Sequence, residues 1–518
     1  MKGKKHMKTT TKVIYPAFAA VALAWFTFST AARAVLPAPD GGYPNYNTAE
    51  GDNALSSLTT GSGNTADGFS ALDSNTTGID NTANGAGALA SNVTGQDNTA
   101  NGFEALFHNS AGSYNTANGS QALFSNTIIN GVSGHHNTAD GFDALYYNTT
   151  GSFNTANGVG ALYHNTTGYN NTANGFDALV FNTTGYNNTA NGFDTLLSNT
   201  TGYYNTANGY DALYSNTSGK YNAANGSYAL YSNTSASYNT ANGLDALYSN
   251  IAGGKNTATG SYALFSNTTI NGVSGINNTA TGYQALSGNA TGSNNTANGV
   301  NALLNNTGST NVGLGSNAGS NLTTGSNNID IGNLGLAAET STIRIGTVGS
   351  QTKTFMAGIR SVTTVNANAV PMVIDSAGQL GTVSSSRRFK SEIKPMGQTS
   401  EAILGLKPVT FHYKSDNTGT PQFGLIAEEV AKVNPDLVVR DDDGEIYTVR
   451  YDAVNAMLLN EFLKAHSKMQ EQEMTITQLK DGIKVLTASM KEQASQIQKV
   501  SAELELRRPA PQTALNNQ

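Results

Sequence analysis

Apolar residues in the middle of this chain follow neither a helical nor a strand period. They return as an Ala-Leu pair inside a polar phrase of 17 residues, Asn-Thr-Ala-Asn-Gly-x-x-Ala-Leu-x-x-Asn-Thr-Thr-Gly-x-x. Copies begin at Asn64, Asn81, Asn98, Asn115, Asn137, Asn154, Asn171, Asn188, Asn205, Asn222, Asn239, Asn256, Asn278 and Asn295, with a weaker one at Asn311. Two copies run to 22 residues and carry the same insert, at Asn130–Gly134 and Asn271–Gly275. A fixed period of this length predicts a mainly β protein, a parallel β-solenoid with one coil per repeat. Asn-Gly and the Gly after Thr-Thr mark the corners. Ala and Leu point inward, and Asn and Thr stack into ladders of equivalent side chains. An aromatic often follows the Leu (Phe107, Phe124, Tyr146, Tyr163, Tyr214, Tyr231, Tyr248, Phe265), either stacked along the axis or facing a partner.

The pattern changes on either side of the array. Residues 1–34 read as a signal peptide: a Lys-rich start, an apolar run Val13–Thr30 and Ala32-Arg33-Ala34 as the cleavage site. Residues 35–63 are a lead-in, 64–311 the solenoid and 312–384 a β-rich connector. In the connector, 328–331, 342–345, 355–359 and a 371–383 hairpin alternate as short strands do. Charge density rises from Ser384. A small α+β segment is expected over 385–455, a helix over 456–508, and a disordered tail over 509–518 after Pro509. In the helix Phe462, Met469, Ile476, Ile483, Met490, Ile497 and Leu504 hold one heptad position. Ala465, Gln472, Leu479, Leu486, Gln493 and Val500 hold the other, which predicts a coiled coil.

Composition narrows the functional classes. Charged residues are 12% of the chain and the net charge is −7. Lys220 and Lys255 are the only basic residues between Asn64 and Asn311, which argues against nucleic-acid binding. Without cysteine there is no disulfide framework and no thiolate site. The histidines lack ligand spacing, and Asp441-Asp442-Asp443-Gly444 reads as a hairpin turn rather than a calcium loop, so no metal and no cofactor is expected. The Asn-x-Thr triplets are explained by turn and ladder chemistry rather than glycosylation.

One Leu, one Ala and an occasional aromatic per coil is a thin core against a backbone ordering cost of roughly 1–2 kcal/mol per residue. Chains are therefore expected to associate, most simply as a homotrimer. The repeat resembles the head repeats of trimeric autotransporter adhesins over about half the chain. It departs from them at the end, because nothing after Arg508 supplies membrane-barrel strands, and no membrane anchor is expected in the mature chain.

The segment opening Ser385-Ser386-Arg387-Arg388-Phe389-Lys390 continues through Gly405–Tyr413, Phe423–Val430, Pro435–Val438 and Val449–Tyr451. In order and spacing these blocks resemble the intramolecular chaperone domain of endosialidases and other phage tail-spike and fibre proteins. That resemblance implies a domain that trimerises, guides assembly of the fibre before it and cuts itself off with a serine–lysine dyad. Carried over, Ser385 is the nucleophile, Lys390 the general base, and the cut falls between Ser384 and Ser385. A hydroxyl is a weak nucleophile that a lysine of lowered pKa activates. Ser386 stands where many members carry Asp, a departure beside the cut. Five residues apart on a regular helix would put the pair on different faces, so a turn or a neighbouring chain must bring them together. The expectation is an exported trimeric surface or extracellular fibre, adhesive or structural, offering Asn, Thr and Tyr to a glycan or a cell surface. Two alternatives are a polysaccharide-degrading spike, which would use acids such as Asp143, Asp177, Asp194, Asp211 and Asp245, and an ice-binding solenoid using its Thr arrays. Those acids recur at one register like surface decoration.

Overall fold

The computed structural model describes residues 44–359, 364–365, 368–441 and 443–507. The expected signal peptide and tail lie outside them, as does Asp442. Two compact units divide near Thr354.

The first unit is a parallel β-solenoid. Its sheet has 18 strands of three residues each, from Thr48–Glu50 to Ile343–Ile345, every one paired in register with the next coil. Three rungs past residue 311, at Val312–Leu314, Ile329–Ile331 and Ile343–Ile345, continue the same sheet. At about 4.8 Å per rung the sheet is about 80 Å long. Each Thr-Ala-Asn strand buries its Ala and turns Thr and Asn outward. The following Gly has φ near +135°, and a Cβ on Gly175 would run into the carbonyl of Gly192 one rung on. Close stacking of backbone, rather than a hairpin turn, requires glycine at this corner. The Leu of each Ala-Leu pair also has positive φ, 49–56° through the array. A left-handed Leu is strained; full burial of that Leu in every coil holds it there.

Asparagine supplies the rest of the core. Both Asn columns are buried, the one before each strand and the one three residues after the Leu. In the first, the backbone N–H and Nδ2 of Asn81 both donate to Asn64 Oδ1 at 3.0 Å, and Nδ2 also donates to Gly95 O. In the second, Asn182 Nδ2 donates to Asn165 Oδ1 at 2.7 Å and to Gly185 O at 3.0 Å. Each coil therefore buries two Ala, one Leu and two satisfied amides, and the core shortage expected for a lone rod disappears. Buried polar groups are tolerated when their partners are present, as along these columns up to Asn289, whose Oδ1 has none. Burial of Asn148 and Asn165 also removes these triplets as glycan acceptors.

Threonine behaves otherwise than expected. Thr149, Thr166 and Thr183 donate their hydroxyls to the backbone carbonyl of the next Thr, at 2.8–3.0 Å, not to its side chain. Aromatics stack along the axis: Phe107, Phe124, Tyr146 and Tyr163 in one run, and Tyr214, Tyr231, Tyr248 and Phe265 in another, with centroids 4.9–5.4 Å apart. Their faces are spent on one another, so solvent meets ring edges. The five-residue inserts form two-residue hairpins, Ile128–Ile129 with Val132–Ser133 and Thr269–Ile270 with Val273–Ser274. The core ladder passes them unbroken, Asn137 N–H donating to Asn115 Oδ1 at 3.0 Å across the longer loop. At the end of the rod the inward column changes from Ala297 to Gly313, Asp330 and Arg344. Arg344 pairs with Glu339 through two nitrogens. A charged last rung is a poor template for further stacking.

The second unit is small and thinly packed. It holds hairpins at Val373–Ile374/Leu380–Gly381, Val409–Phe411/Gln422–Gly424 and Val438–Arg440/Ile446–Val449, a helix Ala427–Val433, and a terminal helix Tyr451–Leu506 of 56 residues. The expected strand at 355–359 is absent; those residues are an exposed turn. Asp441 Oδ1 accepts from the Asp443 and Glu445 N–H groups between the paired strands Val438–Arg440 and Ile446–Val449, as in a hairpin turn. Its fully packed apolar side chains are Val430, Leu437, Val449 and Met457. The shortage of core expected of the rod is thus found here. Phe423, Tyr447 and Leu404 are about three-quarters exposed, and the heptad positions from Phe462 to Leu504 that carry large apolar side chains are exposed by half or more.

Candidate functional site

The terminal helix is rooted by polar contacts. Ser400, in the 3-10 segment Gly397–Gly405, is buried against it. Its hydroxyl donates to Glu461 and accepts from Asn460 Nδ2 at 2.7 Å. Lys464 Nζ pairs with Glu461 at 2.7 Å and reaches Ser400 Oγ at 3.4 Å. Donation from Lys464, then from Ser400, holds the Glu461 carboxyl below its usual range and raises the Lys464 amine. A charged Lys464 is no base, so this second Ser-Lys arrangement is structural. It was missed in the sequence because its partners lie more than 60 residues apart.

The expected dyad lies at the start of the same unit. Ser385 and Lys390 are exposed, separated by a single 3-10 turn, Arg387–Phe389. Ser385 and Lys390 are thus not on one regular helix. Ser386 N–H donates to Ser384 Oγ at 3.3 Å, and Lys390 N–H to Arg387 O at 3.1 Å. Among the described residues Ser385 and Lys390 do not bond to each other, so the single chain does not bring the pair together.

The acids of the repeat are not surface decoration. Asp211 is 9% exposed and Asp143, Asp177 and Asp194 are half-buried. One oxygen of Asp143, Asp194 and Asp211 is buried without a hydrogen-bond partner. Burial pushes Asp143 up to about 6. Burial and then Asp194 one rung away push Asp177 and Asp211 up to about 6, and burial raises Asp194 too. Two shallow grooves run along the rod. One, of about 630 Å³, lies between Tyr147, His164, Phe181 and Ser198 on one side and Thr149, Thr166, Thr183 and Thr200 on the other. The second, of about 400 Å³, is lined by Thr150, Ser152, Phe153, Thr167, Tyr169 and Asn170. Neither contains a carboxylate, whereas glycoside hydrolysis needs a pair flanking the bond to be cut.

A long β-solenoid followed by a small α+β unit and a long helix is consistent with a tail-fibre or spike-like protein. Residues 385–439 match the family model described as chaperone of endosialidase, and the match opens on Ser385. No curated protein and no solved structure matches the chain. The chain is therefore a long parallel β-solenoid followed by a C-terminal unit of which residues 385–439 are similar to the chaperone of endosialidase.

Proposed function

We propose that this chain is an exported, homotrimeric surface or extracellular fibre, adhesive or structural. Its C-terminal segment assembles it and then cuts between Ser384 and Ser385, with Ser385 as nucleophile and Lys390 as base. The carrying observation is the contrast between the two units. The rod fills its own core, while the second unit, of which residues 385–439 match the chaperone family, buries only four apolar side chains and leaves a long heptad stripe on its terminal helix bare. Chaperones of this family act as trimers, and association of three helices would cover the stripe. The exposed dyad then gains its geometry from a neighbouring chain, which desolvates Lys390 and lets it accept the Ser385 proton. No helix among the described residues is long and apolar enough to cross a membrane.

Intact mass and sedimentation of the wild type and of Ser385→Ala test the reading together. The expected result is a trimer in both, with the wild type losing everything after Ser384 and Ser385→Ala staying full length. A wild type that trimerises and stays intact defeats the cleavage. A well-behaved monomer defeats the assembly.

A further inference from the structure

Among the described residues the two hairpins are the insertions that lengthen coils of the array, and they are near copies. Each turns on Asn-Gly with both residues left-handed, at Asn130-Gly131 and Asn271-Gly272. In each, the cross-strand pair next to the turn is Ile with Val, Ile129–Val132 and Ile270–Val273, with all four side chains about half exposed. Nothing among the described residues covers these pairs. A ribbon with two residues per strand is marginal alone and gains stability by packing. Both leave the coil at the same corner, after the Asn-Thr that follows the Ala-Leu pair, and eight rungs separate them, about 38 Å.

We propose that the hairpins are where copies of this chain meet along the rod, at two heights. The inference rests on the proposed self-association. Parallel copies related by a rotation axis place every residue at the level of its own counterpart. A hairpin therefore meets the same hairpin of the next copy, and Ile129 and Val132 close over their equivalents as a small apolar plug. Ile270 and Val273 do the same eight rungs on. A homotypic contact explains why two loops so far apart carry the same apolar pair, and why the bases differ: Ile128–Ser133 in one, Thr269–Ser274 in the other. Between the plugs each rod keeps its own core, so the copies need no shared sheet.

The lack of cysteine makes a clean test possible. Single cysteines are introduced into the full chain at the hairpins (Val132→Cys, Val273→Cys), on the outward sheet face (Thr155→Cys) and on the helix stripe (Ile483→Cys). Each is oxidised and run without reductant. The expected result is linked pairs from Val132→Cys, Val273→Cys and Ile483→Cys, and background from Thr155→Cys. In a threefold assembly the linked fraction at each position approaches about two-thirds of the chains. Linking at Ile483→Cys without linking at either hairpin overturns the inference while the association stands. Linking at Thr155→Cys instead of the hairpins overturns it in favour of the sheet face. No linking anywhere sinks the association and the inference with it.

Discussion

Asn182→Ala removes one amide from the middle of the second buried ladder. Asn165 Oδ1 then loses its only hydrogen-bond donor, Asn182 Nδ2 at 2.7 Å. Asn199 Nδ2 loses Asn182 Oδ1 at 2.8 Å but keeps Gly202 O at 3.1 Å. Gly185 O loses one donor and keeps Asn171 Nδ2 at 2.8 Å. One buried acceptor is thus orphaned, costing about 1–3 kcal/mol, and a second bond is lost at about 1 kcal/mol. The expected destabilisation is about 2–4 kcal/mol, before any cavity term. Asn191→Ala is the matched control: Asn191 also sits in a ladder, accepting from Asn174 and donating to Asn208 at 2.7 Å, but on the surface, where water replaces the partners. Its expected cost is under about 1 kcal/mol. Because contacts in a solenoid run only between neighbouring coils, the assay must be local. Hydrogen exchange read over residues 165–202 in both variants serves, supported by urea unfolding. Equal loss of protection in the two would refute the claim that buried amides form the structural core.

Three further outcomes follow from the same geometry. Protonation of the acid column favours the fold: with Asp211 at 3.8 unfolded and about 6 folded, its contribution is complete below 3.8 and lost as pH rises through about 6. That is worth up to about 3 kcal/mol at this buried site. The rod should melt higher at pH 4 than at pH 7, and the triple change Asp177→Asn, Asp194→Asn, Asp211→Asn should flatten that difference in thermal scans. Gly175→Ala drives a methyl into the Gly192 carbonyl and should cost roughly 2–5 kcal/mol, against about 1 kcal/mol for Gly131→Ala at an open hairpin tip; circular dichroism melting separates them. Leu486→Lys on the exposed stripe should leave the rod's exchange pattern unchanged and abolish association in sedimentation.

The period alone made the coil legible, because an Ala-Leu pair returning every 17 residues admits few other structures. The inward asparagines were harder to see, since turn preference explains Asn as well as burial does. A usable signal was present: the two core Asn positions stay Asn through the array, while the Thr-Thr positions beside them vary to Val, Ser, Ile and Ala. Left-handed Leu could not be read at all, because that strain is accepted only once the neighbouring coils exist. In the second unit the turn at Asp441 was local and therefore visible. The Ser400–Glu461–Lys464 cluster depends on a 3-10 segment docking on a distant helix, which no local pattern records. Ser385 and Lys390 are a proposal from the motif alone, and the single chain does not bring them together.

The asparagine ladder has a direction. In the first buried column the backbone N–H of each Asn donates back to Oδ1 of the coil before it, in the second Nδ2 does so from Asn92 to Asn289, and both bonds span a 22-residue coil as well as a 17-residue one. A new coil inserted anywhere brings its own donor and offers its own acceptor, so neither neighbour must change. The gene can therefore lengthen or shorten this fibre by whole repeats, and its reach is set in steps of about 4.8 Å without redesign of any other part.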